Sequence, residues 1–361
     1  MAKGESIEHL QMPGRLGKPD MTFGDDPRAD ARLVAVMATM ELAPGVAKPA
    51  ADADYATALA YCAESEAAGD VTHPLLWEAM PAFDDVESST ETIQGVDGND
   101  ITLFIDRPRH QNGPLPGMVH THGGGMVLMR AADPGFVRWR RSAAQLGMVV
   151  IGVEFRNGGG SLGNHPFPAG LNDCAAATRW VIDRKADLNL ASLIISGESG
   201  GGNLSIATTL KAHREGWSDG IDGVYAMCPY ISGAYANPPN DLISLVENNG
   251  YMLDCAEMTV LARVYDPTGE HATDPLAWPM HATVEELAGL PPHVISVNEL
   301  DPLRDEGLQF YRKLTAAGVP GTARTVHGTP HAGDIMFPDV TPEVTAQTLA
   351  SLYQFASTVG G

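Results

Sequence analysis

Leu193-Ile194-Ile195-Ser196 runs directly into Gly197-Glu198-Ser199-Gly200-Gly201-Gly202-Asn203, and the reading of this junction decides the fold. The first three residues are apolar and partly β-branched, as in a strand buried on both faces. Beyond the junction, Leu204, Ala207 and Leu210 recur at helical spacing, and Gly216 is a C-terminal stop. A serine flanked by glycines between a buried strand and a helix has the G-x-S-x-G pattern of a nucleophile elbow. Such a turn lifts the hydroxyl clear of the sheet. It also leaves the next residue's N–H at a helix N-terminus, where negative charge is favoured. A glycine-rich turn with no chemistry would share this pattern, so partners must be found elsewhere in the chain.

Working outward, strands alternate with helices on both sides of the junction. Val86–Gly95 and Ile101–Arg107 are β-rich and flank Asp97-Gly98-Asn99, a hairpin signal. Strands are expected over Pro116–Thr121, Val149–Phe155, Gly223–Cys228, Val294–Val297 and Thr322–Val326. Helices are expected over Pro134–Leu146, Gly170–Lys185, the stretch after Asp301 as far as Ala317, and Thr341–Ser357. This alternation argues for an α/β fold with a mostly parallel sheet covered on both faces. Two further helices, Ala29–Leu42 ended by Pro44-Gly45 and Ala51–Ala68 ended by Gly69, precede the first strand as an appended layer. The stretch from Tyr230 to Leu290, helical around Ala256–Tyr265, is long enough to be an insertion or cap.

The 361 residues, 44% hydrophobic and 19% charged, suit a globular chain with a sizeable core. The net charge, 23 − 45 = −22, repels phosphate backbones and anionic lipid surfaces, which argues against nucleic-acid and membrane partners. Met1 to Asp20 holds no apolar stretch of signal-peptide length, and no run is long enough to span a bilayer. Cys62, Cys174, Cys228 and Cys255 lack metal or redox spacing and read as free thiols of a cytoplasmic protein.

A serine hydroxyl needs a general base, and the base needs an orienting acid. On such a sheet these follow later strands, in the chain order serine, acid, histidine. Asp301 and His331 stand just past the expected strands Val294–Val297 and Thr322–Val326, on the edge that carries the elbow. Asp305 and His327 are their rivals, and a helix cap would also explain Asp301. His122-Gly123-Gly124-Gly125 follows another strand and supplies oxyanion donors, with Gly123, Gly124 and Gly200 assigned that role. His120 and His122 find no third ligand for zinc. The glycines of Gly158–Gly163 lack the ending of a phosphate loop. No metal or organic cofactor is required.

Taken together, these motifs, with Asp301-Pro302-Leu303-Arg304-Asp305-Glu306-Gly307 and Val153 through Ala169, resemble the hormone-sensitive-lipase-like esterases of the α/β-hydrolase superfamily. The match spans roughly residues 85–360. The resemblance implies an eight-stranded, mostly parallel sheet flanked by helices, with Ser199 as nucleophile, Asp301 as acid and His331 as base. It also implies a cap built from an extension (residues 1–85) and an insertion (231–285) on a core of 86–230 and 286–361. Most members carry Asp-Ser-Ala where this chain has Glu198-Ser199-Gly200, and Asn157 to Gly163 replaces the usual Leu-Ala-Pro-Glu. Ala332-Gly333 follows His331 where the family has an aromatic two residues on.

The expected activity is carboxylesterase: hydrolysis of short- to medium-chain esters, acetyl esters or lactones included, through an acyl-enzyme. The partner is a small-molecule ester, and a homodimer is left open. An amidase or peptidase on the same scaffold is the alternative. A binding protein without turnover is a further one, opposed by the presence of all three triad residues.

Overall fold

A computed structural model of the chain describes residues 11–40, 46–77 and 80–360. The elements in order are α1 (Ala31–Met40), α2 (Tyr55–Trp77), β1 (Val86–Gln94), β2 (Asp100–Pro108), β3 (Leu115–Thr121), α3 (Pro134–Gln145) and β4 (Val149–Glu154). They continue with α4 (Ala169–Asp183), β5 (Leu190–Glu198), α5 (Gly200–Glu215), β6 (Gly223–Met227), α6 (Cys255–Tyr265), β7 (His293–Asn298), α7 (Arg304–Ala316), β8 (Gly321–Val326) and α8 (Pro342–Thr358).

The eight strands form one sheet in the order β1-β2-β4-β3-β5-β6-β7-β8. The hairpin is antiparallel and unbroken from Val86 opposite Pro108 to Gln94 opposite Asp100. The pairing of β2 with β4 is also antiparallel, and every later pairing is parallel. The central strands show why their sequences are continuously apolar. Val119, Ile151 and Ile195 pack into one cluster with Leu204 and Ala207 of α5, while Met118, Val150 and Ile194 pack on the other face with Trp139 of α3 and Leu352 of α8. Adjacent residues thus face opposite layers, and both layers exclude water.

From β3 the chain moves to β4 on one side, then crosses back to β5 on the other. Loops that leave an open sheet at such a reversal diverge and form a crevice at the strands' C-terminal ends. Here the two loops are the glycine run after β3 and the elbow after β5.

The second expected helix, Ala51–Ala68, departs from expectation at both ends, starting at Tyr55. Helix α2 continues through Gly69 to Trp77. A lone interior glycine costs about 1 kcal/mol relative to alanine, yet the helix continues, with Asp70 just beyond it paired to Arg130. Ala58, Tyr61 and Cys62 lie in the main core, and the Glu66 carboxylate accepts the Met129 N–H at 2.8 Å. The expected stop of α1 at Pro44-Gly45 falls outside the described residues. Helix α6 lies against α2, joined by a Tyr61 hydroxyl donating to Glu257 at 2.8 Å. Among the described residues, no helix is long and apolar enough to cross a membrane.

Candidate active site

Ser199 stands between β5 and α5 with φ 57° and ψ −119°, a conformation that L side chains rarely adopt. Such strain, about 1–3 kcal/mol, persists when the surroundings over-determine it. Here the Ser199 N–H donates to the Met227 carbonyl at 2.9 Å. Its own carbonyl accepts from Tyr230 and Asn203, both at 3.1 Å. The Asn203 side chain in turn donates to the Tyr230 and Ala277 carbonyls, each at 2.9 Å. Among the described residues the Ser199 hydroxyl has no hydrogen-bond partner, which leaves it free for a ligand.

The structure brings Asp301 and His331 together. His331 Nδ1–H donates to Asp301 Oδ2 at 2.8 Å, and both side chains are buried. Asp301 Oδ1 also accepts the Leu303 N–H at 2.9 Å, so its capping role and its pairing with histidine coexist. The rivals are engaged elsewhere. Asp305 accepts from Ser244 N–H at 2.8 Å and pairs with Arg304, while His327 is 77% exposed beside Glu299. A third side chain joins the dyad, one that the sequence reading does not place at the site. The Cys228 sulfur lies within 4.8 Å of ligand atoms of both Asp301 and His331. Its signal was present, since Cys228 directly follows β6, the strand-end position that marks Asp301. Burial pushes its thiol pKa up, so it stays protonated.

The glycine run requires a correction. The Gly123 N–H, expected to serve as an oxyanion donor, already donates to Glu198 Oε1 at 2.8 Å. The Gly124 and Gly125 N–H groups have no partner among the described residues. Both residues have positive φ, 101° and 63°, which turns the intervening peptides away from the β3 direction. Gly200 is the first residue of α5, where an amide lacks an intrahelical acceptor. The free amides in the crevice are therefore those of Gly124, Gly125 and Gly200. The run continues to Met129, and its far end is pinned by Gly158 N–H to Met126 O at 2.9 Å and Gly159 N–H to Val127 O at 3.1 Å. This is what the unusual Asn157–Gly163 loop does.

The two histidines of the run have structural surroundings. His122 stacks on Phe155 at 4.1 Å, and its Nδ1–H donates to the Gly123 carbonyl at 2.8 Å. Burial lowers its pKa to about 3, so it stays neutral. His120 donates from Nε2 to Glu198 Oε2 at 3.1 Å.

A strained serine, a buried Asp–His pair and unpartnered glycine amides thus all follow C-terminal strand ends on one edge of an eight-stranded sheet. A family model described as the alpha/beta hydrolase fold matches residues 118–334, which contain all of them. The chain belongs to this family. It is 45% identical to a brefeldin A esterase described as a bacterial homologue of human hormone-sensitive lipase; the two superpose with a TM-score of 0.91 over 97% of this chain and 99% of that one. Esterase Est22 is 36% identical with a TM-score of 0.84, covering 94% and 100%. Carboxylesterase NlhH of Mycobacterium tuberculosis is 32% identical over 275 residues, 73% of this chain and 81% of that protein. These likenesses bear out the resemblance to hormone-sensitive-lipase-like esterases.

The dyad sets how this α/β hydrolase should respond to pH. Burial disfavours the His331 cation, but the Asp301 carboxylate beside it outweighs burial and holds the pKa well above the ordinary 6.5. A raised pKa keeps the imidazole protonated, and unable to accept a proton, until higher pH. The acid limb of a kcat/KM profile is therefore expected above pH 6.5, and Asp301→Asn should move it to lower pH. Glu306, which burial pushes up to about 7, titrates in the same window but contacts Ser232 and Tyr235. Glu306→Gln should leave the limb in place. A limb that ignores Asp301→Asn would detach the pH response from His331.

Proposed function

We propose that this α/β hydrolase is a serine carboxylesterase acting on short- to medium-chain esters. The observation that carries the reading is the 2.8 Å bond between His331 and the buried Asp301, on the sheet edge that presents the strained Ser199. In the reaction His331 removes the Ser199 proton as the oxygen attacks the ester carbonyl. Gly124, Gly125 and Gly200 donate to the developing oxyanion, each worth roughly 10²–10³ in rate. His331 then protonates the leaving alcohol, and water cleaves the acyl-enzyme by the same route. Asp301 holds the imidazole in the tautomer this requires.

The preference for modest acyl chains is supported by the roof over the site. A methyl group at Gly125 would come within 3.1 Å of Leu261 Cδ1, so α6 of the insertion passes directly over the oxyanion loop. With α2 packed on α6, the extension and the insertion form one cap. The four cysteines remain free, which suits a reducing, cytoplasmic setting.

The test is turnover of p-nitrophenyl esters from C2 to C12, together with labelling by an organophosphate. Activity is expected to peak between C2 and C6, with the phosphoryl mass found on the peptide containing Ser199. No turnover across the series, or a label on another residue, would overturn the assignment.

A further inference from the structure

The sequence places an acidic residue immediately before the nucleophile, and the catalytic steps above leave it unused. Glu198 is 3% exposed, and a buried carboxylate is costly unless it is hydrogen-bonded. Its two oxygens take different partners, both from the β3 side of the crevice. Oε1 accepts the Gly123 N–H at 2.8 Å, and Oε2 accepts His120 Nε2–H at 3.1 Å. His120 is fully buried and its Nδ1 has no partner among the described residues, so this histidine's bonding is directed to Glu198.

We infer that Glu198 is a positioning residue that sets the oxyanion loop, by holding the Gly123 amide so that those of Gly124 and Gly125 face the reacting carbonyl. The inference rests on the serine esterase reading. A charge-assisted bond to a backbone N–H fixes the plane of that peptide. The next residues have positive φ, so the direction of their amides depends on how the first peptide is anchored. The opposite side of the loop is left open by a missing side chain. A Cβ on Gly200 would lie 2.7 Å from Gly125 N and 2.5 Å from Met126 N. Glu198 draws the loop against the elbow, and Gly200 gives it room to arrive. The far end is held independently by Gly158, Gly159 and Glu66. Loss of Glu198 should therefore release the donor end alone.

The experiment compares Glu198→Ala, Glu198→Gln, Glu198→Asp and Gly200→Ala with the parent enzyme. Active sites are counted by stoichiometric release of p-nitrophenol from diethyl p-nitrophenyl phosphate, and kcat and KM are measured with p-nitrophenyl butyrate. Because each oxyanion donor is worth roughly 10²–10³ in rate, Glu198→Ala is expected to lower kcat per titrated site by about 10–100-fold, with KM changed less than about threefold. Glutamine still offers an oxygen to Gly123 N–H and should stay within about fivefold of the parent, since the accepting atom is retained. Aspartate is one methylene too short to reach and should fall below glutamine. Gly200→Ala should lower kcat with Glu198 intact.

A residue that merely satisfied buried groups would change melting temperature and the titrated fraction, with kcat per site preserved. That outcome, or glutamine falling as far as alanine, would overturn the inference. Should Glu198→Ala not fold, the order of glutamine above aspartate carries the test, and its reversal overturns it. A parent enzyme that neither titrates nor turns over would instead remove the esterase reading itself.

Discussion

Replacing Ser199 with alanine is expected to lower kcat by about 10⁶-fold, and His331→Ala to cost about as much, because nucleophile and base act as a unit. The double variant should be no worse than either single one. Without the imidazole the hydroxyl keeps its proton, and without the hydroxyl the imidazole has nothing to activate. The residual rate, about 10³–10⁴ above water, would come from the free amides of the crevice and from binding. The two variants should differ in stability. The Ser199 hydroxyl has no hydrogen bond among the described residues, so its removal should leave the melting temperature unchanged. Among the described residues His331 supplies one of two donors to the buried Asp301 carboxylate, the other being Leu303 N–H. Its loss leaves an acceptor short of a partner, at a cost of about 1–3 kcal/mol. The measurements are single-turnover rates with a p-nitrophenyl ester and thermal melts of all three variants. Rate losses that add in the double variant would show that Ser199 and His331 do not work together.

Much of this arrangement is legible in the amino-acid sequence. A run such as Leu193–Ile195 can hardly be buried on one face alone, and its residues do alternate between two packed layers. Asp301 and His331 were found because strand ends on one sheet edge converge, a rule that depends on topology and not on side-chain detail. The same rule would have found Cys228 at the end of β6. Cysteine drew no notice there because its spacing to the other cysteines carried no metal or redox signal. The sequence offers Gly123 as an oxyanion donor, whereas in the structure its amide is engaged. A glycine run shows which backbones can turn an amide outward, but not which amide is already taken. Gly123 is taken by a carboxylate 75 positions away in the chain. The end of α2 is not legible at Gly69 because helix propensity there is a local quantity, whereas Asp70 just beyond it pairs with Arg130, 60 positions away in the chain.

Gly201→Ala is expected to destabilise the fold by about 4 kcal/mol or more, the range reserved for a clash that cannot relax. An alanine Cβ there would sit 1.9 Å from the Thr121 carbonyl oxygen, 2.6 Å from its carbon and 2.7 Å from the His122 carbonyl oxygen. All three atoms are backbone, so no rotamer change can yield. Either the N-terminus of α5 or the end of β3 must move. Both are pinned, since the Thr121 hydroxyl donates to the Gly201 carbonyl at 2.8 Å and bonds Ser205 Oγ at 2.9 Å. Gly216→Ala is the matched control. It sits on the same helix at φ 76° with nothing within 4 Å of the added methyl group. Its cost should be about 1–2 kcal/mol, the left-handed strain alone. Urea unfolding of the two variants separates these cases, and a Gly201→Ala midpoint no lower than that of Gly216→Ala would refute the close approach. The functional consequence follows from which atoms collide. The contact that forbids a side chain at Gly201 is the one that docks the elbow helix on the strand leading into the oxyanion loop. Even a small retreat there would separate the Gly200 amide from those of Gly124 and Gly125. Any Gly201→Ala protein that does fold should therefore lose kcat as well as stability.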